Sequence, residues 1–164
     1  MSSPRELHCY EYVNQAYDRV REAILADPLA LFQRATNAAV GRAQDVATQL
    51  RVNVGAVEIG TGVAIHVSSV ASDTHPALHV PLTRLRLEWK AVQSAGLFPS
   101  MEAELSVYPL SSSETQLDLR GEYRPPLGLV GTAVDSVILH RVAEASVHRF
   151  LRDVSERLRQ ELGA

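Results

Sequence analysis

The chain has little of what several functional classes require. Cys9 is the only cysteine among 164 residues, so an intrachain disulfide is excluded and a reducing, cytoplasmic setting is expected. Aromatic residues make up 5% of the sequence and the net charge is -3, which leaves few stacking platforms and no basic surplus. Nucleic acid is therefore not expected as a partner.

Long apolar runs and signal-like segments are also missing. The first six residues lack an apolar core, and no apolar run approaches the roughly 20 residues that a membrane span needs. No integral membrane association is expected. With hydrophobic residues at 46% and charged residues at 21%, the 164-residue chain is predicted to fold as one domain over residues 1–164.

The first third of the sequence predicts a strand followed by two short helices. Residues 7–13 are short and aromatic-rich, and Asn14 is placed to cap the next helix. That helix ends near Asp27-Pro28, and its apolar residues fall at helical spacing. These residues are Tyr17, Val20, Ile24 and Leu25. A second, Ala-rich helix is predicted from about Leu31 to Leu50.

From Arg51 the apolar period changes from helical spacing to two. A hairpin is predicted around the turn formers of residues 60–62, and residues 71–80, which contain Pro76, are predicted to form a loop. Strands over residues 81–91, 101–110 and 116–123 then follow as a meander. The alternating residues of the hairpin are Val52, Val54, Ala56, Val63, Ile65 and Val67.

The meander has one charged face and one neutral face. The neutral face carries no ionisable side chain except Tyr123, and it is predicted to point inward. On the charged face, an antiparallel register is predicted to pair Lys90 with Glu102 and Glu104 with Arg120.

A long amphipathic helix is predicted from Thr132 to Leu162. Thr132 stands three residues before Asp135 and forms an approximate capping box. The apolar stripe follows i, i+3, i+4, i+7 spacing and is widest in the first half of the helix. It comprises Leu139, Val142, Ala143, Val147, Phe150, Leu151, Val154 and Leu158, widened by Val134, Ile138 and Ala145.

The order strand, two helices, antiparallel meander and long final helix resembles the START-like superfamily, also called SRPBCC or helix-grip. Segments similar to its polyketide cyclase and lipid-transport branch are residues 14–20 with Asp27-Pro28, residues 114–128, and Asp135 with residues 141–146. The resemblance implies an α+β helix-grip fold, in which a curved antiparallel sheet of six or seven strands wraps around a long C-terminal helix. Two short helices would separate the first and second strands. A seventh strand would lie within residues 71–80 or in a split of residues 51–71.

The resemblance also implies a hydrophobic cavity that binds a small, mostly apolar molecule such as a lipid or polyketide. The expected wall combines the neutral sheet face with the first half of the final helix. It comprises Ile65, Val67, Leu87, Trp89, Leu105, Val107, Leu119, Tyr123, Val134, Ile138, Arg141 and Val142. No cofactor is expected, and the protein is expected to be a monomer or a homodimer. The same apolar side chains are equally compatible with a plain core.

Two other functions remain open. An enzyme of cyclase or dehydratase type would use Tyr123 or Arg141 to polarise a ligand carbonyl, with His140 and Glu144 as an acid–base pair. For His140 and Glu144, the alternative is an ion pair on the helix surface. A protein-interaction module would instead use the open edge of the sheet or an apolar surface patch.

Candidates for other chemistry are weaker. His75 and His79 beside Asp73 have metal-like spacing, but Pro76 interrupts any helix that would align them, so a solvated loop is expected and no metal site. Cys9 is expected to be a small buried thiol, because the adjacent His8 points to the other strand face.

Overall fold

A computed structural model describes residues 4–49, 63–91, 100–124 and 136–163. These ranges contain five strands and three helices. The strands are β1 (Arg5–Val13), β2 (Val63–Thr74), β3 (Pro81–Ala91), β4 (Ser100–Ser111) and β5 (Glu114–Arg124). The helices are α1 (Tyr17–Ala26), α2 (Pro28–Gln49) and α3 (Ser136–Leu162). The predicted first hairpin strand at residues 52–56, the turn at residues 60–62 and the capping residues Thr132 and Asp135 lie outside the described residues.

The five strands form one antiparallel sheet in the order β1-β5-β4-β3-β2. Register shifts interrupt β2 between Val67 and Ser69, and the β4–β5 pair between Pro109 and Ser111. Such irregularities bend strands and increase their twist, so the sheet is curled. α3 packs on its concave side beside β1 and α2, and α2 covers β2. This arrangement confirms the predicted α+β helix-grip architecture.

The prediction of a loop at residues 71–80 is wrong for residues 71–74. Residues 71–74 belong to β2 and pair with β3 as far as Thr74 opposite Pro81. Only residues 75–80 turn, with the His75 amide donating to the Val80 carbonyl at 2.8 Å. The seventh strand considered for this segment is therefore not separate but the end of β2. Both faces of residues 68–74 are exposed, so no apolar alternation marks this part of the strand.

Two details of the helical segment also differ from prediction. Asn14 does not cap α1, because the N-cap residue is Ala16 and no side chain caps it. α2 is not short: it runs for 22 residues from Pro28. Proline suits a first helical turn because its missing N–H has no partner there, and the Asp27 carboxylate accepts the Ala30 amide at 3.1 Å. This local capping begins α2 three residues earlier than predicted.

The charged face of the meander points outward, as predicted, but its two predicted ion pairs are not formed, since Glu104 contacts Arg84 at 3.7 Å and Arg120 contacts Asp118 at 3.4 Å. Glu104 lies opposite Arg120 as expected, whereas Glu102 lies between Glu88 and Glu122. Lys90 instead reaches Glu88, at 3.5 Å. The difference follows from the β3–β4 register, which places Glu102 two residues from Lys90 along the strand direction.

Three aromatic rings join the sheet to the helices. The rings of Trp89 and Phe150 meet edge to face with centroids 5.1 Å apart, and Phe32 stacks on Phe150 at 6.0 Å. The indole N–H of Trp89 donates to the Thr36 hydroxyl at 3.0 Å, and that hydroxyl donates to the Phe32 carbonyl at 2.8 Å. All four residues are buried, so the second half of α3 is packed directly against β3 and α2.

The two glycines Gly121 and Gly41 are expected to respond in opposite ways to alanine. A Cβ at Gly121 would lie 2.6 Å from both the Ala103 Cβ and the Glu102 carbonyl oxygen, whereas one at Gly41 would meet nothing within 4 Å. We expect Gly121→Ala to destabilise the fold by about 1–3 kcal/mol. Gly41→Ala should stabilise it by about 0.5–1 kcal/mol because glycine is unfavourable inside a helix. Chemical denaturation measures both, and equal effects would contradict the packing described.

Removing the hydroxyl of Thr36 is expected to be costly. Thr36→Val leaves the buried indole N–H of Trp89 without a partner, which we expect to reduce the free energy of unfolding by about 1–3 kcal/mol. Thr36→Ser keeps the acceptor and is the matched control. Because Trp89 is the only tryptophan, its emission reports the change directly. A valine variant as stable as the serine variant would show that the hydrogen bond contributes nothing.

Candidate functional site

The strand register places one residue from each strand in a continuous row across the inner face of the sheet. The row reads Ile65, Trp89, Met101, Tyr123 and Arg5 from β2 to β1. Tyr123 is 1% exposed and lies one residue before the end of β5. Tyr123 is therefore a buried polar residue of the inner face. Its partner on the neighbouring strand is Arg5.

The neighbouring row contains the two smallest inner residues. Val67, Leu87, Ala103, Gly121 and Leu7 follow each other across the sheet. Ala103 and Gly121 stand side by side in its centre, next to Met101 and Tyr123. No large side chain therefore rises from the sheet at this point.

Residual exposure varies within these two rows. Leu7, Met101 and Ala103 keep 6%, 5% and 5% of their surface accessible, whereas Leu87 and Trp89 keep 0% and 2%.

Tyr123 is joined to α3 by a chain of polar contacts. Its hydroxyl lies 2.9 Å from Nδ1 of His140, and Nε2 of His140 lies 3.4 Å from a carboxylate oxygen of Glu144. One proton arrangement satisfies all three groups: the tyrosine donates to Nδ1, and Nε2–H points at the carboxylate. The arrangement positions the imidazole between a phenol and an acid, and the contact of Tyr123 with His140 joins the sheet directly to α3.

Electrostatics keep the Tyr123 hydroxyl protonated. Burial raises the pKa of this phenol, Glu144 raises it further, and the Arg5 guanidinium opposes both. A neutral hydroxyl at this position can donate one hydrogen bond and accept another. In this structure it hydrogen-bonds with His140 and with the Arg5 side chain.

The structure separates the two predicted catalytic candidates. Tyr123 lies inside, whereas Arg141 is exposed. His140 and Glu144 contact each other at 3.4 Å one helical turn apart, with both side chains partly exposed, and this contact is shared by the acid–base pair and the helix-surface ion pair considered above. Of the other predicted wall residues, those that are buried are Ile65, Leu87, Trp89, Leu105, Val107, Leu119 and Val142, while Val67 is partly buried. Val134 and the side chain of Ile138 lie outside the described part of the chain.

Val142 differs from the other predicted wall residues in what it contacts. It forms a small cluster with Ala43 of α2, with Ala145 packed against it. The sheet residues belong instead to the main core, together with Ala143 and Val147 of the first half of α3 and with its second half. Val142 therefore contributes to the contact between the two helices.

Arg5 and the small pair Ala103 and Gly121 were not predicted as site residues. Arg5 could have been found, since it alternates with Leu7 and Cys9 on the inner face of β1. The small pair gives no local signal, because only the register between β4 and β5 brings the two residues together.

The remaining candidates occupy ordinary structural positions. In the described ranges, no group of three or more His, Cys, Asp or Glu side chains is arranged to hold a metal. His75 packs on Tyr108 with ring centroids 4.5 Å apart, and its Nδ1 accepts the amides of Ala77 and Leu78. The described helices include none that is long and apolar enough to cross a membrane.

Cys9 is buried, as predicted, and points at the Val147 carbonyl, 3.9 Å away. Burial, reinforced by the carboxylates of Asp118 and Glu11, raises the pKa of its thiol to about 12. The thiolate is therefore scarcely populated near neutral pH. His8 lies on the outer face and bonds Asp118 at 2.9 Å.

Comparison with known proteins identifies the fold. No protein-family model and no curated protein matches the sequence. The Zhui aromatase/cyclase from Streptomyces sp. R1128 has a TM-score of 0.52 at 16% identity, over 98% of this chain and 96% of that one. A START superfamily protein from Mycobacterium smegmatis has a TM-score of 0.44 at 12% identity, over 95% and 98%. Norcoclaurine synthase from Thalictrum flavum has a TM-score of 0.44 at 10% identity, over 95% and 87%.

The first of these likenesses spans nearly the full length of both chains, and at this identity it establishes the fold alone. It agrees with the strand order and with the position of α3 on the concave side of the sheet. The chain has the START-like, or helix-grip, fold.

Proposed function

We propose that the protein binds a small, mostly apolar molecule between the inner face of the sheet and the first half of α3, residues 136–149. The observation that carries the proposal is the small pair Ala103 and Gly121 beside the residual exposure of Leu7 and Met101. The second half of α3 cannot serve, because Trp89 and the aromatic rings around it fill the space there. The binding region is thus confined to one half of the interior.

Binding in this region would be driven by removing apolar surface from water. The gain is about 25 cal/mol per Å² before the costs of association are subtracted. The polar group that orients the ligand is the Tyr123 hydroxyl, already held by His140. A ligand with one carbonyl or hydroxyl and an otherwise apolar body, such as a polyketide or a lipid, matches this wall.

A cyclase or dehydratase activity is the second candidate, and the contact of Tyr123 with His140 and Glu144 favours it. Imidazole exchanges protons near neutral pH, and a buried phenol can polarise a carbonyl. The similarity to an aromatase/cyclase in fold is compatible with this activity. A carrier needs only the hydroxyl, whereas an enzyme needs His140 as well. The cytoplasmic setting and the monomeric or homodimeric state remain predictions.

The proposed ligand region is tested by enlarging an alanine. Ala103→Leu is expected to be tolerated within about 1 kcal/mol and to weaken binding of the neutral apolar probe N-phenyl-1-naphthylamine about tenfold. Ala35→Leu makes the same change in the packed part of the core. It should lose about 1–3 kcal/mol of stability by overpacking and retain probe affinity in the folded fraction.

Denaturation and probe fluorescence measure these two effects, and native mass spectrometry of the purified protein identifies any ligand that co-purifies. Equal destabilisation by both substitutions, together with no saturable probe binding, would rule out the ligand site. That result would favour the protein-interaction module instead.

The role of Tyr123 is tested with two matched probes. Tyr123→Phe is expected to weaken binding of 6-propionyl-2-dimethylaminonaphthalene, which carries a carbonyl, about tenfold by removing one hydrogen bond. It should leave N-phenyl-1-naphthylamine unaffected. Tyr10→Phe, on the exposed outer face, is the control. Equal losses for both probes would show that the hydroxyl does not orient the ligand.

The enzymatic candidate is tested with the same variant and His140→Gln. If the protein is a cyclase, both substitutions should reduce turnover of a linear poly-β-ketone by about 100-fold or more, which is typical for loss of an acid–base group. Unchanged turnover, or none in the unmodified protein, would exclude this candidate and leave the carrier.

A further inference from the structure

A second concave region lies between α2 and the middle of α3. It is a cleft of about 600 Å³, within the size range of small-molecule sites. Its floor is made of small residues from both helices, Ala38, Gly41 and Ala145. It shares no residue with the contact of Tyr123, His140 and Glu144. The cleft is therefore separate from the proposed ligand site, and its chemistry is independent of the proposed function.

The rim of the cleft carries three arginines and one histidine. Arg42 comes from α2, and Arg149, Arg152 and His148 come from α3. Two carboxylates, Glu11 and Asp45, also line it. The cleft therefore carries more guanidinium than carboxylate groups although the whole chain has a net charge of -3.

Only one of these arginines is neutralised within the described ranges. Arg152 lies 3.9 Å from Glu11, which also lies 3.6 Å from Arg159. Among residues 4–49, 63–91, 100–124 and 136–163, Arg42 and Arg149 have no carboxylate within ion-pair distance. These two exposed guanidinium groups, one on each helix, are therefore not neutralised by a carboxylate of the described ranges.

Gly41 supplies an independent observation. It lies inside the 22-residue α2, where glycine costs about 1 kcal/mol relative to alanine. No neighbour requires its small size, since a Cβ there would meet nothing within 4 Å. The missing side chain instead keeps the floor of the cleft open. Packing of the fold alone does not account for this residue.

We infer that the cleft binds a small organic oxyanion, a carboxylate or a phosphate ester, held between Arg42 and Arg149. Guanidinium groups match such anions because their parallel N–H groups donate to two oxygens at once. Asp45 accepts a hydrogen bond from a hydroxyl or amine on the same molecule. The expected class is therefore a hydroxylated small anion, such as a hydroxy acid or a sugar or polyol phosphate.

The test uses glycerol 3-phosphate as the probe, with amide signals of the whole chain followed by NMR at low salt, where the Debye length is about 30 Å. We expect saturable shifts in residues 38–45 and 145–152. Arg42→Gln and Arg149→Gln should each weaken binding about tenfold. Arg86→Gln, an equal loss of charge on the outer sheet face, should have no effect.

Substitutions of Gly41 provide a second test of anion binding in the cleft. Gly41→Leu should abolish the shifts by filling the floor, whereas Gly41→Ala should retain most of the affinity. Parallel titrations with inorganic phosphate and with vesicles containing phosphatidylglycerol distinguish a small anion from a lipid headgroup. The inference is overturned if no saturable shift occurs up to about 10 mM. It is also overturned if Arg86→Gln weakens binding as much as the cleft variants, or if only vesicles bind.

Discussion

The edge-to-face contact between Trp89 and Phe150 is the interaction on which the interior depends. Trp89 comes from β3 and Phe150 from α3, and Phe32 of α2 stacks on the same phenyl ring. Three elements distant in sequence are therefore joined at one point. Because α3 is one continuous helix, holding its second half against the sheet also sets the path of its first half across Tyr123 and the small residues beside it.

This anchoring divides the interior into two parts of different character. Under the second half of α3, large side chains interlock and little surface remains accessible. Under the first half, the sheet presents Ala103 and Gly121, and the helix presents His140 to Tyr123. The buried Tyr123 hydroxyl has His140 as a hydrogen-bond partner, so its polar group is satisfied within the protein.

The sequence predicted those parts of the fold in which one face is buried and the other is exposed. Alternation located β3, β4, β5 and the inward position of Tyr123, and helical spacing located the stripe of α3. Alternation failed to predict the strand at residues 71–74. Both faces of the strand are exposed there, and only backbone pairing with β3 maintains it. Alternation also failed where a register decides the neighbours, as for Glu102 and for the pair Ala103 and Gly121. The sequence of one strand does not by itself show which residues of the neighbouring strand will lie opposite it.

The composition predicts whether the chain binds a large polyanion such as nucleic acid. It does not predict whether the chain binds a small anion. A net charge of -3 and few aromatics disfavour nucleic acid, because such binding depends on many phosphates along an extended surface. A small oxyanion depends instead on one or two guanidinium groups, and charges beyond a Debye length contribute little to it. Carboxylates such as Glu102 and Glu122 count in the total charge but lie on the outer face of the sheet, outside the cleft beside Arg42 and Arg149. The two proposals therefore place an anion in the cleft between the helices and a neutral molecule on the sheet side of α3.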